Sequence, residues 1–296
     1  MARFPVTEYE YEGMTMIKEG FPAWGLDKIK ETLLDDSDVM VATYAKCGTT
    51  WMQEIMYLVH SEGDFEGSDQ TPVQDRFNFI EVNENDPDSK AKTGFERFEA
   101  EEPPRLLKTH LPSRFFKKTL EKRKTKVVVV FRNPKDMLVS YYHFYKMAPF
   151  KFDSNGTWEE FFDRFKDDKL VHGNYFDMQL SWWAYRDDPR VKIFKYEEML
   201  KDPEQAVRQV AAFLEKDLSD ELIQKIVERT SFKSMKEHPM LNYSSSQGMD
   251  HKISPFMRKG QVGDWRNFFT EEQAKIVDEM SKIKFESEGL FLDDGM

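Results

Sequence analysis

The chain has 296 residues, a formal net charge of −11 from 43 basic and 54 acidic residues, and 40% hydrophobic content. That apolar share supports one globular interior near the upper size for a single core, so one domain is expected over 1–296, with a flexible start over 1–15. The acidic balance argues against nucleic acid or an anionic membrane as the main partner, and no apolar run approaches the ~20 residues of a membrane span.

The single cysteine, Cys47, excludes an intrachain disulfide, and residues 1–13 are polar and acidic without a signal-peptide core. A reducing, cytoplasmic setting is the simplest expectation. The 25 Phe and 16 Met imply a soft interior, with a minority free to line an apolar pocket.

An apolar, β-rich run predicts a strand over 38–43, and Trp51, Ile55, Met56, Leu58 and Val59 recur at helical spacing over 49–60. Between them stands Tyr44-Ala45-Lys46-Cys47-Gly48-Thr49-Thr50-Trp51. Strand, short glycine-containing loop and helix bring free backbone N–H groups and a positive helix end to one point, which binds phosphate-like anions. Lys46 adds a mobile cation, and Thr49 and Thr50 add hydroxyl donors. The spacing is not that of a nucleotide P-loop, in which the lysine follows the second glycine; here Lys46 precedes Gly48.

Segment 61–104 is polar, carries Asp86-Pro87-Asp88 and Pro103-Pro104, and reads mainly as loop with a short helical piece. A short strand over 105–109 leads to His110, and a short helix is expected over 113–121. The uninterrupted run Lys126-Val127-Val128-Val129-Val130-Phe131 predicts a central strand buried on both faces. It ends in Arg132-Asn133-Pro134, where an arginine suits an anion and repels a metal ion. A helix follows over 135–145. Thr157 with Glu160 forms a capping box for a helix whose apolar side is Trp158, Phe161, Phe162 and Phe165. Further helices are expected over 173–185, from Asp202-Pro203 to 214, from the cap Ser219 to 229, and over 270–283, with a strand over 191–194. Segment 236–263 has little periodicity, and so long a loop in a compact domain is usually functional. The alternation of strands and helices predicts an α/β domain with a central, mostly parallel sheet flanked by helices.

Four segments taken together, in order, resemble the cytosolic sulfotransferases: Tyr44 to Trp51, Arg105 to Pro112, Arg132 to Phe144, and Arg258 to Asn267. The resemblance runs from about Met16 to about Thr270. That family transfers a sulfuryl group from 3′-phosphoadenosine 5′-phosphosulfate (PAPS) to a small acceptor, leaving 3′-phosphoadenosine 5′-phosphate (PAP), without a metal. The loop then becomes a phosphosulfate cradle made by Lys46, Cys47, Gly48, Thr49 and Thr50.

In that light Lys46 stabilises the charge that grows on the leaving phosphate, an interaction stronger in the transition state than in the ground state. His110 is the candidate general base for an acceptor hydroxyl, with a pKa suited to neutral pH. Lys108 shares the sulfonate oxygens. The resemblance puts Arg132 and Ser140 on the 3′-phosphate, with Arg258, Lys259 and the Gly260 backbone as the other half of the clamp and Met257 beside it. Trp51, Tyr196, Thr230, Ser231 and Phe232 correspond to adenine contacts, although periodicity alone also makes Trp51 a helix-face core residue. Phe21, Phe79, Phe144, Met147 and Tyr243 fall where the family lines its acceptor pocket, and they fit plain core packing equally. His60, His143, His172, His238 and His251 lack such context and read as structural or exposed.

Two departures stand out. The family loop usually reads Pro-Lys-Ser, and here it is Ala45-Lys46-Cys47. Cys47 is either an activated thiol, beside Lys46 at a helix end, or a buried, inert filler of a small-residue position. The family's dimer motif is degenerate: its Val corresponds to Glu271 and its Glu to Lys275, which places homodimerisation in doubt. Two other functions remain open from sequence, a P-loop-type nucleotide phosphotransferase and a catalytically silent nucleotide-binding protein. So does a variant in which sulfonation is a step toward dehydration of an allylic alcohol.

Overall fold

The computed structural model describes residues 6–83, 94–148, 156–246 and 248–293. Asp86-Pro87-Asp88 lies outside them. Among the described residues the strands are β1 (Glu8–Tyr11), β2 (Met14–Ile17), β3 (Val39–Thr43), β4 (Asn78–Phe79), β5 (Leu106–Thr109), β6 (Lys126–Phe131) and β7 (Val191–Lys195). β3 to β7 form one sheet in the order β4-β5-β3-β6-β7, and every neighbouring pair is parallel.

The Val-rich strands sort their side chains by alternation. Met40, Ala42, Val127, Val129 and Phe131 enter one core, with Met137, Leu138 and Tyr141 of the Pro134–Met147 helix. Val39, Val41, Val128 and Val130 enter the opposite core, with Met52, Ile55 and Met56 of the Thr49–His60 helix. A sheet covered on both faces explains why β6 reads as a continuous apolar run.

The register sets the site. Ala42 pairs with Thr109, Thr43 with Val130, and Phe131 with Lys195. The residues that follow are therefore side by side at the carboxyl edge: Tyr44 and then Lys46 after β3, His110 after β5, Arg132 after β6 and Tyr196 after β7. Ligands of open parallel sheets bind at that edge.

Two expectations are corrected. A flexible start is expected over 1–15; residues 1–5 lie outside the described residues, and from Glu8 on β1 and β2 pair as an antiparallel hairpin, held down by buried Met14, Met16 and Ile17. Segment 61–104 holds helices Phe65–Gln70, Val73–Arg76 and Gly94–Ala100 as well as β4. Polar partners rather than apolar periodicity fix the first two: Asp64 caps its helix, and buried Glu54 takes Ser68 Oγ and Arg76, each at 2.6 Å. Helices Ala23–Glu31, Tyr196–Lys201 and Phe232–Glu237 were not anticipated. Among the described residues, 238–263 contains neither helix nor strand, as expected.

Candidate active site

The loop after β3 carries the strongest local chemistry. Gly48 N-caps the Thr49–His60 helix at φ 94°, and no side chain caps it, so the N–H groups of its first turn are directed to whatever binds there. A Cβ on Gly48 would stand 2.7 Å from Tyr196 Cδ2, so both the positive φ and the close tyrosine require glycine. Lys46 also has left-handed backbone, φ 69°. Its Nζ lies 4.0 Å from the Phe256 ring centre and 4.8 Å from that of Phe144. Burial, with Arg132, Lys108 and Arg258 close by, holds the Lys46 ammonium down to about 7. Such crowding of cations is relieved by an anion.

Arg132 and Arg258 enlarge that positive island. Arg132 donates to the Lys46 carbonyl at 2.9 Å and lies 4.4 Å from the Tyr196 ring centre. Arg258 and Lys259 share Asp264, each at 2.5 Å. Burial alone would raise the Asp264 pKa, but the bonds from Lys259, Asn267 and Arg258 bring it down to about 2. The Nε atoms of both arginines are buried without a hydrogen-bond partner among the described residues. An oxyanion with several acceptor oxygens fits such a donor set.

His110 is buried, and its Nδ1 lies 2.7 Å from the Thr43 carbonyl oxygen. A carbonyl only accepts, so Nδ1 carries the hydrogen and Nε2 holds the lone pair that can take a proton. Burial first, then Lys108 and His172, hold the imidazole well below its ordinary range, and the Thr43 bond offsets part of this. His110 N–H donates to Glu81 at 2.5 Å. Around the ring, Phe79 stands 4.9 Å away edge-on, Phe21 lies 6.2 Å from Phe79, and the Lys108 ammonium lies 4.1 Å from the Phe79 centre.

The family model for the sulfotransferase domain matches residues 36–289. The chain belongs to the sulfotransferase family. It is 39% identical to sulfotransferase 1C2 of Oryctolagus cuniculus over 94% of this chain and 92% of that one. To sulfotransferase 1A1 of Mus musculus it is 38% identical, over 93% of this chain and 89% of that one. The fold is shared with retinol dehydratase, solved with retinol and PAP, at a TM-score of 0.86 and 25% identity over 98% and 93% of the two chains. Mouse sulfotransferase SULT7A1, solved with PAP, gives 0.74 and 26% over 94% of each.

Several residues expected to act together in this sulfotransferase are in contact. Trp51 meets Tyr196 edge-on at 5.5 Å, and a Cβ on Gly260 would stand 2.2 Å from Phe232 Cδ2. Met257, Trp51 and Tyr243 pack on one small cluster, and Tyr243 lies 4.3 Å from Phe256, the ring under Lys46. Thr230 and Ser231 are engaged locally: the Thr230 hydroxyl donates to Ile226 O, and Ser231 caps the Phe232–Glu237 helix. Ser140 lies two turns into the Pro134–Met147 helix, half-buried. Met147 is buried in the core, and its carbonyl accepts from Asp250 N–H at 2.6 Å.

Cys47 is fully buried, with Gln179 Nε2 3.8 Å from its sulfur. Burial pushes the thiol up, and Arg132 only partly opposes this. Of the two readings of Cys47, the inert filler is the one this geometry supports.

Three residues were missed. Glu81, buried and raised to about 7 by burial, holds the His110 backbone; a carboxylate inside the apolar run Phe79-Ile80-Glu81 was the available signal. Asp136 accepts from Gly263 N–H at 2.6 Å and Trp265 N–H at 3.0 Å, which fastens the Arg258 segment to the Pro134–Met147 helix. His172, read as structural or exposed, is buried with its ring 5.2 Å from that of His110.

Proposed function

We propose that this chain transfers a sulfuryl group from PAPS to a hydroxyl or amine of a small, hydrophobic acceptor, releasing PAP. The observation that carries this reading is the juxtaposition at one sheet edge of the loop Lys46 to Thr50, ringed by Arg132, Lys108 and Arg258, and a tautomerically fixed imidazole, His110. Membership of the sulfotransferase family and the PAP complexes of retinol dehydratase and SULT7A1 support it.

In the reaction the acceptor oxygen forms a bond to sulfur while the bond from sulfur to the bridging phosphate oxygen breaks. His110 Nε2 takes the acceptor's proton. Burial is the largest cause of its depressed basicity in the free protein; a multiply charged anion offsets the part that Lys108 and Lys46 add. Lys46 and the first-turn N–H groups of the Thr49–His60 helix stabilise charge on the departing phosphate. Lys108 neutralises the sulfonate oxygens. Arg132, Ser140, Arg258, Lys259 and the Gly260 backbone hold the 3′-phosphate, while Trp51, Tyr196, Thr230, Ser231, Phe232 and Met257 surround the adenosine. Phe21, Phe79, Phe144, Met147 and Tyr243 contribute the apolar acceptor side.

The sulfate ester is the proposed end product rather than a dehydrated alkene. Identity to sulfotransferases 1C2 and 1A1 is 38–39%, against 25% to retinol dehydratase. We place the protein in a reducing, cytoplasmic setting, which suits a lone buried thiol. Dimerisation through 266–275 is not part of the proposal, since Glu271 and Lys275 break the motif.

Radiolabelled PAPS supplied with a panel of phenols, steroids, alcohols and amines tests the reading. Label should move to an acceptor without ATP. Transfer of a phosphoryl group from ATP with magnesium, and none from PAPS, would replace it by the phosphotransferase reading.

A further inference from the structure

His172 is a buried titratable group that the chemistry above leaves unused. It is 4% exposed, on a turn pinned to β2 by its own N–H, which donates to Thr15 O at 2.9 Å. Its φ of 71° is left-handed, a conformation most non-glycine residues avoid and one that persists where surroundings impose it. The turn brings the ring to the acceptor side of the site. Its centre stands 5.2 Å from that of His110 and 4.9 Å from that of Phe21, edge-on to both.

Neither Nδ1 nor Nε2 of His172 has a hydrogen-bond partner among the described residues. The carbonyl of its chain neighbour Val171 lies near enough to favour an N–H on the ring, though outside hydrogen-bond geometry, and it already accepts the hydroxyls of Tyr141 at 3.1 Å and Tyr44 at 3.4 Å. Burying an imidazole with an N–H and a lone pair unmet is unfavourable, and an aromatic hydrocarbon would fill the same space without that cost. A polar ring kept in a wall of phenylalanines is accounted for by a polar group that arrives with the acceptor.

We propose that His172 determines specificity by bonding a second oxygen of the acceptor, a hydroxyl or carbonyl on the carbon next to the one whose hydroxyl faces His110; this rests on the sulfotransferase reading above. The ring separation sets the reach. Two imidazoles with centres 5.2 Å apart, each bonding at about 2.8 Å, bracket two oxygens on neighbouring carbons. A neutral imidazole offers both a donor and an acceptor, so either oxygen type suits. The favoured class is a catechol-like or vicinal hydroxy-carbonyl compound on an apolar body.

The test compares wild type, His172→Phe and His172→Asn on 4-tert-butylcatechol and 4-tert-butylphenol. It measures kcat/KM for PAPS-dependent sulfonation and, with PAP bound, acceptor affinity by calorimetry. Wild type should prefer the catechol, and His172→Phe should lower that preference at least about tenfold, the size of one lost buried hydrogen bond, while phenol turnover holds or rises. His172→Asn keeps hydrogen bonding and tolerates left-handed backbone, so it should retain part of the preference. An unchanged catechol-to-phenol ratio in His172→Phe, with both compounds sulfonated, overturns this inference and leaves the sulfotransferase reading standing. No sulfonation of either compound by a wild type that sulfonates another member of the panel above overturns the inference alone; no PAPS-dependent sulfonation of any panel member overturns the reading beneath it, and the inference with it.

Discussion

His110 donates its Nδ1–H to the carbonyl oxygen of Thr43, 2.7 Å away, from the end of β5 to the end of β3. The bond follows from parallel pairing in which Ala42 stands opposite Thr109. One step beyond that pair, the backbone of one strand fixes the tautomer of a histidine on the next. The same strand end leads within three residues to Lys46, so the base and the leaving-group cation are positioned by one ladder.

The first prediction concerns the 3′-phosphate. Arg258→Ala and Arg132→Ala should each weaken PAP binding by about 1.5–3 kcal/mol, roughly 10- to 150-fold, as expected for a lost charge-assisted bond. AMP, which lacks that phosphate, should lose far less on Arg258→Ala. Calorimetry with both nucleotides separates the cases, and equal losses would remove Arg258 from the clamp.

Lys46 makes a prediction about protons. Its pKa is held to about 7 in the free protein, far below the ordinary lysine value, by burial and by Arg132, Lys108 and Arg258. A bound bisphosphate favours the ammonium and raises that pKa. At pH 8 the free lysine is mostly neutral, so PAP binding should take up a proton. Affinity should be full below about 7 and fall as pH rises through it. Calorimetry at pH 8 in buffers of different ionisation enthalpy reads the uptake directly; none in wild type, or the same uptake in Lys46→Met, would contradict this.

Cys47 should be unreactive. Burial raises its thiol above the ordinary range, so iodoacetamide at pH 8 should label the folded protein slowly, with or without PAP. Cys47→Ser should keep turnover near wild type and lose about 1 kcal/mol of stability, since a hydroxyl replaces an apolar-like group in a buried site. Fast labelling that PAP blocks would restore the activated-thiol reading.

The loop Lys46 to Thr50 and the Val-rich β6 were legible because their signals are local: a glycine between strand and helix, and an apolar run with charged ends. Their assembly was legible only through the order of four motifs. What escaped depends on partners distant in sequence. Asp136 meets Gly263 across 127 residues, and Glu81 reaches His110 across 29. His172 gives no sign in sequence that its turn carries it beside His110. Cys47 posed a different difficulty, because a helix end and a cation lower a thiol pKa while burial raises it, and the depth that decides the contest comes from packing by residues such as Gln179. The hairpin of β1 and β2 was missed because two four-residue strands carry little periodicity of their own.

The removal of one imidazole tests the central claim most directly. With labelled PAPS and an acceptor that wild type sulfonates, His110→Ala should transfer label about 10²- to 10⁴-fold more slowly, the usual loss of a general base, while PAP affinity by calorimetry stays near wild type. EDTA should change neither value, since the charges assigned to the reaction belong to Lys46, Lys108 and the two arginines. Near-normal transfer by His110→Ala at neutral pH would show that the proton goes elsewhere and that the pairing of His110 with Thr43 is only structural.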